Sequence, residues 1–213
     1  MRTDLLPYLF SFVWPAALLL LVFCFVPRRR GLRARPGRWF AVMTALAAGI
    51  VVIPVGGLPL GRWFTGLCAN FSLPLLALTA AVIGRRAFDA ELLGKNGMRA
   101  ALWFGAVAGC ILFPMALGLG SFDPYLLGWN FSWLFVGSGA LAALLLWRGN
   151  RFGLVLLSAI AAYHLGLLES DNYWDYLVDP VYFFISLAAV CLQWSRSFRR
   201  RGNRAAADAV LAG

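Results

Sequence analysis

Long apolar stretches alternate with short polar segments along this chain. Seven such stretches contain no charged residue, and the length of each is close to the roughly 20 residues that a helix needs to cross a bilayer. The pattern therefore predicts an all-α membrane protein with seven transmembrane helices. The stretches cover residues of about 5–26, 39–58, 65–84, 100–120, 131–147, 152–168 and 181–195.

Basic residues are distributed unevenly between these stretches. Seventeen of the nineteen Lys and Arg residues lie between alternate stretches, as expected for cytoplasmic loops, which carry an excess of positive charge. This distribution predicts an N-terminus outside and a C-terminus in the cytoplasm. A basic cluster follows the first stretch instead of preceding it, so we expect a retained helix and not a cleaved signal peptide. The clusters are Arg28, Arg29, Arg30, Arg33, Arg35 and Arg38; Arg85, Arg86, Lys95 and Arg99; Arg148 and Arg151; and Arg196, Arg199, Arg200, Arg201 and Arg204.

Two internal similarities favour a repeated architecture. A shift of 48 residues aligns residues 104–144 with 152–192, and a shift of 60 aligns 41–80 with 101–140. They predict one leading helix and three tandem helical hairpins with their tips outside, at about 39–84, 100–147 and 152–195. A transmembrane domain would then occupy residues 1–195 and a basic cytoplasmic tail 196–213. The alternative is convergent composition at the membrane interface. The rarer matches are Asp123 with Asp171, Tyr125 with Tyr173, Pro54 with Pro114, and Asn70-Phe71-Ser72 with Asn130-Phe131-Ser132.

Composition excludes several classes of protein. Apolar residues make up 62% and charged residues 13% of the chain, which excludes a soluble globular or a disordered protein. The net charge of +10 lies in short loops beside the apolar stretches, so the expected partner is the anionic lipid of the cytoplasmic leaflet, and no nucleic acid is expected. The bias toward Arg, Ala, Leu and Gly suggests a multi-pass protein of a bacterial inner membrane.

Cysteine and histidine usage gives no indication of a cofactor. The four cysteines are spread singly and only Cys68 falls near the outward side, so no disulfide is expected. The single histidine, His164, cannot supply the ligands of a bis-histidine haem or a three-histidine zinc site. We expect no cofactor.

The outward tips carry the concentrated polar residues, and residues 169–180 are the densest segment. If this segment is helical, Asp171, Asp175 and Asp179 share one face and are suited to a divalent cation, a cationic ligand or a partner protein. Arg62, in the first tip, is placed to reach them. The predicted ligand- or partner-binding residues are Asp123, Tyr125, Glu169, Asp171, Tyr173, Asp175 and Arg62.

Two other interpretations apply to these polar residues. Asp123-Pro124 and Asp179-Pro180 each have the pattern of a helix N-cap followed by proline, which predicts a capping role. His164 lies on the outward side of the sixth stretch and is a candidate catalytic residue, because a titratable side chain in a span is costly to bury. Its alternative is a neutral, hydrogen-bonded histidine near Tyr163.

Three functions remain open from the sequence. We favour an accessory or assembly component of an envelope system, whose acidic tips bind a partner or a cationic ligand. The second is a small-solute or ion transporter with a site between hairpins, although no stretch has a charged residue at mid-depth. The third is an enzyme acting on a lipid-linked substrate at the outer leaflet, with His164 and Glu169 or Asp171 as general base. The chain has no glycine-rich phosphate loop and no nucleophile elbow.

Overall fold

The computed structural model describes residues 5–26, 36–67 and 71–211, with side chains described as far as Ser197 except for that of Leu67. Several predicted features lie outside the described residues. They are the basic residues Arg28, Arg29, Arg30, Arg33 and Arg35, together with Cys68 and Asn70.

The described part of the chain is mostly helical, which confirms the all-α class. Beside the helices there is one two-stranded antiparallel sheet, of β1 (Pro54–Val55) and β2 (Leu58–Pro59), and one 3₁₀ helix, Pro124–Gly128. The α-helices are α1 (Leu5–Phe10), α2 (Val13–Phe25), α3 (Pro36–Val51), α4 (Leu60–Leu67), α5 (Leu73–Phe88), α6 (Gly94–Ala116), α7 (Trp133–Trp147), α8 (Phe152–Leu165), α9 (Tyr173–Leu177) and α10 (Pro180–Leu211).

Two helical segments among the described residues are long and apolar enough to cross a membrane. They are Leu5–Phe25, which joins α1 and α2, and α6, with 21 and 23 residues. The apolar helices α3, α7 and α8 have only 16, 15 and 14 residues. At 1.5 Å per residue they extend about 21–24 Å, less than the roughly 30 Å of a hydrocarbon core.

Two predicted boundaries were wrong. The stretch 39–58 is not one helix, because α3 ends at Val51 and the chain then turns through β1 and β2. Gly56 and Gly57 both have positive φ, at 60° and 86°, which a two-residue turn of type I′ needs and only glycine adopts readily. The stretch 65–84 is not one helix either, because α4 ends at Leu67 and α5 begins at Leu73, where Ser72 caps it and Pro74 occupies its first turn.

Helix α5 is the centre of the packing. It contacts α2, α3, α6, α8, α9 and α10, and half of its 16 residues are buried. The most extensive contacts elsewhere are those between α6 and α10 and between α7 and α8. The predicted hairpins 100–147 and 152–195 are therefore not the packing units.

The lengths of the connections explain why the observed helix pairs differ from the predicted hairpins. Helices α7 and α8 are joined by the short segment 148–151, in which Asn150 N–H donates to Leu145 O at 2.7 Å and Gly149 adopts a φ of +68°. So short a connection makes α7 and α8 antiparallel neighbours. The segment 117–132 between α6 and α7 is longer and lets these two helices pack against different partners.

Two glycines bring α6 and α10 close together. A Cβ at Gly105 would lie 2.5 Å from Ser186 Oγ and 2.7 Å from the Tyr182 ring, and a Cβ at Gly109 would overlap the ring of Phe183. Nearby, Tyr182 Oη donates to the carbonyl of Ala101 at 2.5 Å. Small residues thus allow the close helix contact that membrane proteins commonly use.

The molecule has a basic end and an acidic end. At the basic end, Arg151 Nη1 donates to the carbonyls of Glu91 and Leu92 at 2.9 and 3.1 Å, and the Arg86 guanidinium lies 4.3 Å from the centre of the Phe25 ring. The connections 52–59, 117–132 and 166–179 lie at the acidic end, where each is associated with a short helix: α4, the 3₁₀ helix or α9.

The predicted repeat is matched at some positions and not at others. Ser72 and Ser132 both cap the helix that follows them, as the aligned sequences suggest. Pro54 and Pro114 are not equivalent, because Pro54 lies in β1 and Pro114 lies inside α6. The repeat therefore stays a prediction.

Candidate functional site at the acidic end

The acidic segment does not form one helix. Asn172 caps α9 by accepting a hydrogen bond from Trp174 N–H at 2.9 Å, and the chain becomes extended at Val178 before α10 begins. Asp171 thus precedes α9, Asp175 lies within it and Asp179 follows it. The predicted face of three aspartates was wrong, because the asparagine cap and Pro180 divide the segment into two helices.

Asp179 is a buried carboxylate that two helices share. It is 3% exposed and accepts hydrogen bonds from Ser72 N–H at 2.8 Å, Ser72 Oγ at 2.6 Å and Tyr182 N–H at 2.9 Å. It therefore caps α10 and also binds the residue that caps α5. The positive ends of two helix dipoles meet at this one acid. Burial raises the pKa of Asp179, and these hydrogen bonds oppose the rise.

Asp123 has the same capping role in the neighbouring connection. Its carboxylate accepts from Tyr125 N–H at 2.9 Å, and Pro124 occupies the first position of the 3₁₀ helix. For both Asp-Pro pairs, the capping interpretation is the arrangement that the structure shows.

Asp175 joins the connections 117–132 and 166–179. Tyr125 Oη lies 3.1 Å from both carboxylate oxygens of Asp175. Burial raises the pKa of Asp175. Burial of Tyr125 and the nearby charge of Asp175 together raise the pKa of Tyr125 to about 12. Tyr125 consequently stays a hydrogen-bond donor at neutral pH.

Backbone carbonyls of the 3₁₀ helix complete this junction. Asn172 Nδ2 donates to Tyr125 O at 3.0 Å, and Trp174 Nε1 donates to Pro124 O at 2.7 Å. Gly128 allows the close approach, since a Cβ there would overlap the side-chain amide of Asn172. The two connections are thereby held in direct contact.

Tyr173 is a core residue rather than a surface ligand. It is fully buried, its ring stacks on Phe135 with centroids 4.1 Å apart, and its Oη lies 2.9 Å from Ser138 Oγ. Burial raises the pKa of Tyr173 to about 12. Because no part of its side chain is accessible, Tyr173 contributes to the site only by positioning α9.

Arg62 links the first helices to the connection 166–179. Its Nη1 pairs with Glu169 Oε1 and lies 3.2 Å from Ser11 Oγ, and its guanidinium lies 5.4 Å from the centre of the Tyr8 ring. Arg62 thus contacts the acidic segment at Glu169. Its role in ligand binding stays a prediction.

His164 lies in the last turn of α8 with its side chain exposed. Its ring neighbours are Phe135 and Tyr163, with centroids 6.2 and 5.7 Å away. Glu169, one of the two acids predicted to act with His164, is engaged by Arg62 instead. This ion pair competes with a pairing of His164 and Glu169, and catalysis by His164 with Asp171 stays a prediction.

Metal binding finds no support in the part of the chain that the structure describes. There, no group of three or more His, Cys, Asp or Glu side chains is placed to hold a metal ion. Among the described residues, Cys24, Cys110 and Cys191 form no disulfide.

Sequence reasoning missed the residues that hold the acidic end together. Ser72, Asn172 and Trp174 each make hydrogen bonds between segments distant in the chain. A signal was present for Ser72, which has proline two positions later as a capping serine often does. For Asn172 and Trp174, the partners are backbone carbonyls, which no side-chain pattern reveals.

The accessible surface of the acidic end combines carboxylates with large apolar side chains. Glu169 and Asp171 are exposed, and Phe131 and Trp133 are 78% and 81% exposed. We call the exposed apolar residues of segment 117–133 the outer rim. They are Leu117, Leu119, Phe122, Leu126, Trp129, Phe131 and Trp133.

No protein-family model, curated protein or solved structure matches this chain.

Proposed function

We propose that this chain is a multi-pass protein of a bacterial inner membrane, and that its acidic end is a rigid platform for a partner protein. It would serve as an accessory or assembly component of an envelope system. In this proposal seven segments cross the bilayer, with α1 and α2 counted as one, and the basic end faces the cytoplasm.

The exposed surface of the shorter helices supports several membrane crossings. Large apolar side chains point outward on α3, α7, α8 and α10. These helices are additional to the two segments that are long and apolar enough to cross a membrane. Exposing such surface to water costs about 25 cal/mol per Å², whereas a bilayer imposes no such cost. The side chains include Val42, Leu46, Val136, Leu144, Leu154, Leu157, Phe184 and Ile185.

One observation carries the proposal of a platform: hydrogen bonds connect distant segments of the acidic end. Tyr125 with Asp175, Ser72 with Asp179, and Arg62 with Glu169 join residues 50 to 107 positions apart. A surface held in one conformation loses little entropy when a partner binds. The outer rim and the exposed acids Glu169 and Asp171 are the groups that this surface presents.

The packed interior favours this function over the two alternatives. The centre of the helix bundle contains fully buried small residues, among them Ala101, Ala142 and Ala159, and these leave little room for a solute path. In the enzyme hypothesis His164 acts with Glu169 or Asp171, and Arg62 already engages the first of these two acids.

Site-specific photocrosslinking in cells tests the platform. A benzophenone amino acid at position 171 should give a discrete adduct with one protein, while the same group at Glu91, an exposed acid of the basic end, should not. The double variant Asp171→Asn with Trp133→Ser, crosslinked from position 126 of the outer rim, should lower the adduct yield at least about tenfold, as expected when an interface residue is lost.

The two ends of α7 supply a matched control. Trp147 is 86% exposed at the basic end, so Glu91→Gln with Trp147→Ser removes the same groups from the opposite side. This control should keep the adduct. Equal loss in both variants, or no protein adduct from the folded protein at positions 126 and 171, would contradict the proposed platform.

A further inference from the structure

The basic end contains a cavity of about 510 Å³ between α6 and α10. Its volume is within the range of about 300–1,000 Å³ that small-molecule sites occupy. Arg99 and Trp103 line it from α6, and Gln193, Trp194 and Arg196 line it from α10. No side chain of the acidic end lines it.

The lining is cationic. Arg99 and Arg196 face the same cavity, no carboxylate lines it, and within the described residues neither arginine forms an ion pair. An adjoining cavity of about 250 Å³ shares Arg99 and Gln193 and adds Arg85, Lys95 and Glu91. Four basic side chains thus face a single acidic one. Like charges repel, so this arrangement favours an anion between them.

The groups around the arginines fit a phosphodiester. Guanidinium groups bind phosphate oxygens through two parallel hydrogen bonds, and Gln193 and Ser197 add neutral donors. Trp103 and Trp194 have the amphipathic rings that are enriched where hydrocarbon meets water. The cavity therefore combines recognition of phosphate with the chemistry of a membrane boundary.

An apolar stripe continues from the cavity along α6. Arg99, Trp103, Val107 and Ile111 follow one another at intervals of four residues, which places them on one face, and all four are exposed. A free phosphate ion would contact only the arginine end of this stripe. A ligand with both a phosphate and a hydrocarbon chain contacts its full length.

We infer that the cavity between α6 and α10 binds one anionic glycerophospholipid of the inner leaflet, with its phosphate between Arg99 and Arg196 and an acyl chain along Val107 and Ile111. This inference goes beyond the proposed platform; it rests on the proposed orientation in the membrane and not on an outer partner. It differs from general attraction to an anionic leaflet because it specifies one lipid at one place.

Native mass spectrometry of the full-length, detergent-solubilised protein tests this assignment. Phosphatidylglycerol should bind with a stoichiometry of one, and phosphatidylcholine with the same acyl chains should bind much more weakly. Arg99→Gln with Arg196→Gln should weaken phosphatidylglycerol binding roughly 25-fold, since each arginine near an anionic lipid contributes a factor of about 5. Arg38→Gln with Arg148→Gln removes two exposed arginines of the same end that do not line the cavity, and it should leave binding unchanged.

The outcomes separate a lipid site from its alternatives. Equal loss in both double variants would overturn the inference in favour of diffuse electrostatic attraction. Competition by glycerol 3-phosphate at the same concentration as lipid would overturn it in favour of a free-anion site, and equal binding of phosphatidylcholine would overturn charge recognition. Arg99→Lys with Arg196→Lys keeps the charge and the fold but loses the paired hydrogen bonds, so we expect a loss of several-fold, smaller than that of the glutamine variant.

Discussion

At the scale of single residues, the buried carboxylate of Asp179 connects the starts of two helices. Three donors, from Ser72 and Tyr182, point at a carboxylate that water barely reaches. Burial raises the energy of the charge, and the hydrogen bonds with the two helix starts lower it. Because it binds the starts of both α5 and α10, Asp179 fixes the central helix against the longest one.

Removing this acceptor should destabilise the protein strongly. Asp179→Ala leaves the N–H groups of Ser72 and Tyr182 buried without partners, which costs about 1–3 kcal/mol for each group. We expect the free energy of unfolding to fall by about 3 kcal/mol or more, measured by chemical denaturation in detergent. Glu91→Ala, at an exposed acid of the basic end, should change it by less than about 0.5 kcal/mol. Similar effects of the two substitutions would contradict the structural role of Asp179.

The pKa values of the acidic end predict an unusual pH dependence. Burial raises the pKa of Asp175 and Asp179 above the ordinary value of about 3.9, so the folded state binds protons more tightly than the unfolded state. The contribution of these two carboxyl groups to the free energy of unfolding is complete below pH ~4, and it is lost as the pH rises through their raised pKa values.

Thermal unfolding between pH 4 and pH 8 measures this effect. The melting temperature should fall as the pH rises, and Asp175→Asn, which keeps an acceptor for Tyr125 Oη, should flatten the dependence. A melting temperature that rises over the same interval would show that hydrogen bonding outweighs burial at these carboxylates.

At the scale of elements, the contact between α6 and α10 depends on glycine. Gly105→Ala would place a methyl group against Ser186 and Tyr182, so we expect a destabilisation of about 1–3 kcal/mol. Gly137→Ala is the matched control in α7, where a Cβ would meet nothing within 4 Å. It should stabilise by up to about 1 kcal/mol, because alanine favours the helix. Denaturation of both variants measures the difference, and equal effects would argue against close packing at Gly105.

Helices were easier to predict from the sequence than their ends and partners. The apolar stretches located α6 and α7 to within a few residues, apart from the first six residues of α6, Gly94–Arg99, which contain two basic side chains. The end of α3 was missed because Val51–Leu58 is as apolar as a helix, and only the turn chemistry of Gly56-Gly57 distinguishes it. The packing partners of the helices were predicted wrongly, because hydropathy shows which side of a helix is apolar but not which other helix packs against that side.

The candidate site was predictable only where the pattern is local. Asp-Pro pairs signalled caps at Asp123 and Asp179, because the donors of a cap lie within three residues of it. The bonds of Asp175 with Tyr125 and of Asp179 with Ser72 join segments 50 and 107 residues apart. Such pairs depend on how the helices pack, which the spacing of polar residues does not encode.

At the scale of the whole molecule, charge separates along the helix axes. Arginine contacts such as those of Arg86 and Arg151 gather at one end, while Asp123, Asp175 and Asp179 lie at the other. In a membrane, this separation favours the orientation with the basic end in the cytoplasm.

Cysteine labelling measures this orientation. In a variant without its native cysteines, Asp171→Cys should react with a membrane-impermeant maleimide in intact cells. Arg148→Cys, in the connection of α7 and α8, should react only after permeabilisation. The reverse pattern would invert the proposed orientation, and labelling of both sites in intact cells would contradict the membrane crossing of α8, which lies between them.

Helix α10 runs without interruption from Pro180 to Leu211, a length of 32 residues or about 48 Å. Its first turn is held by Asp179, and residues 190–197 form one wall of the cavity at the basic end. A straight helix moves as a rod, so a tilt of about 5° at the anchored turn would displace the far terminus by about 4 Å. In the proposed topology, with α10 crossing the bilayer, a displacement at the cavity wall would therefore be transmitted along the helix to the buried acid at its other end.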